Sequence, residues 1–310
     1  MRMRRVCGRG AVGRAELLAV VLVMAAVLAM SIPALSHARG QGKTAVCMAN
    51  LCGLGRAFFN YAADNDGNLV GSGTSRWNAW QMQRRPAWSF SAGRVPVKNF
   101  VAFPQDENHN FRNICLADKV RGLQQGGLWP YVEDHRPYHC PQDTRHLSPP
   151  KTFPAPDEIG GYRTYSLGCV INGYGIGDGW HTGEYYALVT RMDEFHTPGK
   201  KFTFLEEQDG QGFNVNTWNI YLDDATYWKG DPLSCLHEAG SMMGYADGHA
   251  ERRQWVDATT LYLFENQIKW GDGRHRSYGP DEGRDLGWFI RHYIPGAIRP
   301  ELADMLPQYK

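Results

Sequence analysis

Neither charge sign is in excess in this chain: 33 Lys and Arg stand against 32 Asp and Glu. Bulk charge therefore gives no reason to expect a nucleic-acid or other polyanionic partner. The sequence has no internal repeat and no glycine-rich phosphate loop, which argues against a repeat architecture and against phosphate-cradle chemistry. No stretch presents a nucleophile, a base and an orienting group in recognisable order. The reading is accordingly that of a protein that is not an enzyme, with no cofactor and no metal. Acidic residues are also missing from the first fifteen positions, whereas Arg2, Arg4, Arg5, Arg9 and Arg14 lie there.

The first acid is Glu16, and an apolar run starts directly behind it. Residues 17–35 are interrupted only by Ser31 and Pro33. A bilayer core takes about 20 helical residues, so this run is long enough to span one. The arginines ahead of it place the N-terminus in the cytoplasm and the body outside, by the positive-inside rule. A secretory signal peptide would have a shorter apolar core and a small-residue cleavage site, which "ALSHA" after Pro33 fits poorly. Next, Cys47, Leu51, Leu54, Phe58 and Tyr61 recur at spacings of four and three, one stripe of an amphipathic helix. "ADNDGN" (63–68) ends that helix with turn residues. Its Asp-x-Asp-x-Asn order lacks the remaining ligands of a calcium loop, so a solvated turn is the reading.

Aromatics make up 12% of the chain, with ten tryptophans, a composition suited to a packed body rather than a disordered one. Extended segments are expected at 162–171, 200–207, 217–222, 241–246 and 250–255, with helices near 257–268, capped by Asp257, and 284–293. Residues 72–160 look loop-rich. The fold class expected is α+β: a long N-terminal helix packed on a mostly antiparallel sheet with long insertions.

Three sets of body residues invite a functional reading. In "HEAGSMMGYADGHAERRQW", His237 is followed by nine residues and then Asp247-Gly248. As structure, Asp247-Gly248 is a two-residue hairpin signal, a type I′ turn with positive φ at both positions. As chemistry, His237, Asp247 and His249 carry donors suited to zinc or iron and would make the chain an anchored metal-dependent hydrolase. His135 and His139 in "HRPYHC" are split by Pro137 and cannot share a helix face, so they read as loop packing beside Cys140. Trp77, Trp80 and Trp88, with Trp218 and Trp228, would suit a glycan-binding surface if exposed, and core packing if not. Six cysteines follow the apolar run; this even number is compatible with disulfides in an exported body or with buried thiols. Cys47 and Cys52 face different directions on a helix and are poor partners for each other.

"ELLAVVLVMAAVLAMSIPAL" followed by "CMANLCGLGRAFFNYAADNDG" resembles the N-terminus of type IV pilin-like proteins. It is closer still to the pseudopilin-like proteins with a prepilin-type N-terminal cleavage/methylation segment that abound in planctomycete-type bacteria. The His237-X9-Asp247-Gly248 spacing matches the C-terminal H-X9-DG signature of that family. "HCPQD" (139–143) resembles its Cys-Pro-Ser-Asp element, with Gln142 in place of serine. The resemblance implies a basic leader, residues 1–11, cut after Ala11, so that Val12 becomes the mature N-terminus and Glu16 its fifth residue. Ala11 stands where the family usually has glycine. Pro33 falls where pilin helices carry a kinking proline.

The implied organisation is a pilin-like helix at 12–62 and an extracytoplasmic body at 63–310 with the motif at 237–248. The implied setting is an inner-membrane, single-pass protein of a type II secretion or type IV pilus-like system, held in the bilayer by residues 17–35. Pilin-like subunits and a prepilin peptidase would be its partners, and Glu16 would pair with the α-amino group of a neighbouring subunit. A disulfide is expected in the body, with Cys47 and Cys140 as the candidate pair.

Overall fold

A computed structural model describes residues 13–73, 88–91, 95–148, 160–172, 189–208, 218, 220, 228, 230–266, 283–298 and 300–305. The chain divides into two compact units, Met1–Lys43 and Thr44–Lys310. Helix α1, Arg14–Asp64, runs through 51 residues. In the first unit its apolar run is bare: Leu17, Leu22, Leu28, Met30 and Leu35 are all more than half exposed. This is the one helix among the described residues long and apolar enough to cross a membrane. Glu16 Oε2 accepts the Gly13 N–H at 2.9 Å, the placement of a carboxylate that caps a free donor in a helix's first turn.

In the second unit the expected stripe is buried without exception: Cys47, Leu51, Leu54, Phe58 and Tyr61 are each 6% exposed or less. The helix ends as its sequence requires. Gly67 N–H bonds to Ala62 O at 2.8 Å, Asp66 and Gly67 both have positive φ, and the Asn65 side chain donates to Tyr61 O at 2.7 Å. A bond spanning five residues behind a left-handed position satisfies the last carbonyls of a helix.

The stripe packs on an antiparallel sheet of four strands in the order β3-β4-β5-β6: β3 Tyr165–Leu167, β4 Phe202–Glu206, β5 Gly240–Tyr245 and β6 Ala250–Gln254. Separately, β1, Trp88–Ser91, pairs antiparallel with β2, Val95–Lys98. The register of β4 on β5 shifts between Phe202 and Phe204. Alternation would put these two residues on one face, and an irregularity that inserts a residue reverses the facing. Phe204 accordingly meets Phe58 of α1 edge-on at 6.0 Å. Phe202 instead packs on Phe289 and Tyr293 of the helix Arg284–Tyr293, at 5.0 and 6.0 Å. The result is three layers: the end of α1, the sheet, and the helices Ala258–Glu265 and Arg284–Tyr293. This is the expected α+β class.

Three local expectations are corrected. The helix Ala258–Glu265 begins after Asp257, but the Asp257 side chain does not cap it. Its Oδ2 accepts Gly283 N–H at 2.9 Å and Asp285 N–H at 2.8 Å, capping the other helix. Asp285 Oδ2 returns the bond to Val256 and Asp257 N–H, both at 2.8 Å. Residues 72–160 also contain the helix Leu116–Gln124, held by the buried Asp118 carboxylate, which accepts Ile114 N–H at 3.1 Å and pairs with Arg112 and Arg121. Lastly, the β5–β6 turn is not a two-residue loop. Tyr245 N–H bonds to His249 O at 2.8 Å and Gly248 N–H to Tyr245 O at 3.0 Å. Gly248 has φ +90° while Asp247 is not in the left-handed region. That is a three-residue loop with glycine in the left-handed position. The reason is close packing. The loop lies on α1 at Gly55, where an added Cβ would come within 3.2 Å of Gly248 Cα.

Of the expected segment 217–222, only Trp218 and Ile220 are described. They make isolated bridges to Gly168 and Gly230.

Candidate metal centre

The described part of the body holds one group of side chains with metal-ligand chemistry at close quarters. Cys47, Cys140, Glu206 and His237 are all buried, and one potential ligand atom from each lies within 4.8 Å of the others. Four segments deliver them. Cys47 begins the buried stripe of α1. Cys140 follows the short helical turn Arg136–Tyr138. Glu206 is the last residue of β4. His237 sits in the turn that leads into β5, where its N–H bonds to Gly240 O at 3.2 Å and the next two residues take positive φ.

The contacts are specific. Cys47 Sγ and Cys140 Sγ are 2.8 Å apart, and Cys140 Sγ is 3.4 Å from His237 Nε2. His237 Nε2 lies 2.9 Å from Glu206 Oε1. The other imidazole nitrogen, Nδ1, is 2.9 Å from both Thr44 Oγ1 and Gln142 Nε2. Glu206 Oε2 accepts Ser234 Oγ–H and Met242 N–H, each at 2.8 Å. Gln142 N–H points at Cys140 Sγ at 3.4 Å. The Tyr165 hydroxyl is buried and has no hydrogen-bond partner of normal geometry. Burial, with Glu206, Cys47 and Cys140 beside it, drives its pKa well above the usual tyrosine range.

Electrostatics follow from this crowding. Burial pushes the Cys140 thiol far up, aided by Cys47 and the Glu206 charge, so it stays protonated. Burial alone would depress His237, but its hydrogen bonds to Cys140 and Glu206 outweigh that and raise it to about 9.

The "HCPQD" element divides its labour. Cys140 joins the cluster and Gln142 reaches His237. Asp143 is buried against Arg145 at 2.6 Å and accepts Thr164 Oγ–H at 2.7 Å. Burial opposes its charge, yet Arg145 and these bonds hold its carboxyl below the usual range. His139 is loop packing, as expected: its ring stacks on Tyr162 at 4.3 Å, and burial lowers its pKa.

The sequence-derived triad is not assembled. His237 is buried at one end of β5, and Asp247 and His249 lie at the other. The Asp247 carboxylate accepts His249 N–H at 3.2 Å and contacts its imidazole, and both side chains are well exposed. The segment from His237 to Gly248 therefore spans one strand: its histidine joins the buried cluster and its Asp-Gly forms the distant turn. The candidate pair Cys47 and Cys140 is brought together, although 2.8 Å exceeds a disulfide's length of about 2.05 Å. Both are free thiols in this structure.

The glycan reading loses two of its tryptophans. Trp218 and Trp228 are core residues, and Trp228 Nε1 donates to Thr260 Oγ1 at 3.1 Å. Trp77 and Trp80 lie outside the described residues, as do Ala11, Val12 and the side chains of Pro33 and Trp88.

Sequence reasoning missed Glu206 and the supporting Thr44. A usable signal was present: "FTFLEE" ends a strand whose residues are buried on both faces with two successive acids, which is costly unless they are partnered. No family model, curated protein or solved structure matches this chain.

Proposed function

We propose that this protein is a membrane-anchored, pseudopilin-like structural subunit of a type II secretion or type IV pilus-like assembly, with its body outside the cytoplasm. One observation carries the reading. A single helix has a bare apolar stretch directly behind Glu16, while its later residues bury a regular stripe in an antiparallel sheet. An exposed apolar run in water costs about 25 cal/mol per Å², so the stretch needs lipid or apolar partners. The N-terminal arginines favour a cytoplasmic start. In this reading Glu16, at the polar edge of the run, meets the α-amino group of the next subunit. Pairing offsets the cost of placing a carboxylate near hydrocarbon. The body contributes surfaces for assembly rather than catalysis. The potential acid–base residues His237, Asp247 and His249 are split between the two ends of β5, which supports that division.

N-terminal sequencing and intact mass of the protein taken from native membranes test the proposal. A start at Val12, with or without N-methylation, or an uncut anchored chain, is the expected result. A mature N-terminus between residues 36 and 40 would mean that the apolar run is a discarded signal, and the subunit reading would fall.

A further inference from the structure

We infer that Cys47, Cys140, Glu206 and His237 form a structural zinc site that ties helix α1 to the sheet. The argument is independent of the subunit reading above, because it rests on the body alone.

The donor set is the first ground. Two thiols, one imidazole and one carboxylate are zinc ligands, and the carboxylate disfavours the softer copper(I) ion. Four protein ligands with no solvent-facing position make a closed sphere, the mark of a structural rather than a catalytic centre. Geometry is the second ground. Bonds of about 2.3 Å to sulfur and about 2.0–2.1 Å to nitrogen and oxygen define a tetrahedron with edges of about 3.3–3.8 Å. The separations of 2.8, 3.4 and 2.9 Å differ from these edges by about 1 Å or less, and the remaining ligand atoms lie within 4.8 Å of one another.

The surrounding shell is the third ground, and it separates a metal site from a disulfide. A bond between Cys47 and Cys140 would leave Glu206 and His237 as a buried ion pair facing no ligand and the Tyr165 hydroxyl without a partner of normal geometry. With zinc bound, each of these groups has a role. His237 binds through Nε2 and directs Nδ1–H onto Thr44 Oγ1 or the amide oxygen of Gln142, whose oxygen and nitrogen can exchange places. Glu206 binds through Oε1 while Oε2 keeps its bonds to Ser234 and Met242. Gln142 N–H donates to the Cys140 thiolate, and the Tyr165 hydroxyl acquires an acceptor in the Cys47 thiolate.

Loading balances simply. Zinc(II) displaces one proton from each thiol and, from the imidazolium form of His237, the Nε2 proton, all to solvent. Two thiolates and one carboxylate then leave the centre with one net negative charge, which these donors face. No electron moves.

The test uses full-length protein, without a polyhistidine tag, purified in detergent without chelator. Elemental analysis is expected to give about one zinc per chain. Cobalt(II) added to the metal-free chain should produce the visible bands of a tetrahedral ion and a near-ultraviolet thiolate-to-cobalt band, both abolished by one equivalent of zinc. Cys140→Ser and His237→Gln should each lose the metal with unchanged far-ultraviolet circular dichroism. If a variant fails to fold, the cobalt spectrum of the wild-type chain decides instead. Native protein lacking zinc and lighter by the two hydrogens of a Cys47–Cys140 disulfide would overturn the inference. So would a missing thiolate-to-cobalt band, or zinc retained by both variants.

Discussion

Gly248 offers a test of how the Asp-Gly half of the signature works, separate from its histidine. The residue has φ +90°, and a Cβ placed there would meet the Phe59 ring at 3.5 Å, an ordinary contact. Steric collision is therefore minor, and the cost of a side chain is conformational. Holding an L-residue in the left-handed region costs about 1–2 kcal/mol, and β-branching raises this within the usual range of about 1–3 kcal/mol. Gly248→Ala should then destabilise the body by about 1–2 kcal/mol and Gly248→Val by about 2–3. Gly248→Asn should cost less than either, because asparagine enters this region most readily. For a body of this size each kcal/mol lowers the melting temperature by about 2–4 °C. Asp247 is not in the left-handed region, so Asp247→Ala should lose only its exposed bonds to His249, about 0.5–1 kcal/mol. Thermal melts of the detergent-solubilised chains, scored by near-ultraviolet circular dichroism, give the ranking. An alanine variant that melts with the wild type, or an asparagine variant worse than alanine, would refute the conformational account. Zinc content should stay constant across the series, since the turn lies a full strand away from His237.

Asp257 and Asp285 cap across to each other's segments, and both are buried. Asp257→Ala strands two backbone N–H groups and should cost about 2–4 kcal/mol. Asp257→Asn keeps an oxygen for them and should cost about 1 kcal/mol. A double-mutant cycle with Asp285→Ala should show coupling of about 0.5–3 kcal/mol, and simple additivity would contradict the reciprocal arrangement. Lys201 is buried with its Nζ donating to Arg291 O at 2.6 Å, and burial lowers its pKa to about 8. Its folded value lies below the unfolded value of 10.5. The unfolded chain therefore binds more protons between these values, and stability attributable to Lys201 rises with pH from about 8 to 10.5. Urea unfolding across that range should show the wild type gaining on Lys201→Met as pH increases. A flat or falling difference would show that the lysine is not held at a depressed pKa.

What the sequence determined by itself was what neighbouring residues encode together. The apolar run behind Glu16 and the stripe Cys47, Leu51, Leu54, Phe58 and Tyr61 are periodic signals. A helix turns them into one exposed and one buried surface whatever else the chain does. The strands at 200–207, 241–246 and 250–255 were legible for the same reason. The helix Leu116–Gln124 was not, because its stability comes from Asp118 reaching Arg112 and Arg121 rather than from a long repeat.

The reversal of Phe202 against Phe204 depends on the register with β5. The loop at Gly248 depends on the helix beneath it at Gly55. It is the fold that assembles the buried cluster of Cys47, Cys140, Glu206 and His237. Its cysteines are 93 positions apart, and His237 is 97 from Cys140 and 31 from Glu206. Proximity along the chain had favoured Asp247 and His249, but the extended β5 carries those residues away from His237. The folded sheet instead brings in Glu206, because β4 runs antiparallel to β5 and ends where β5 begins.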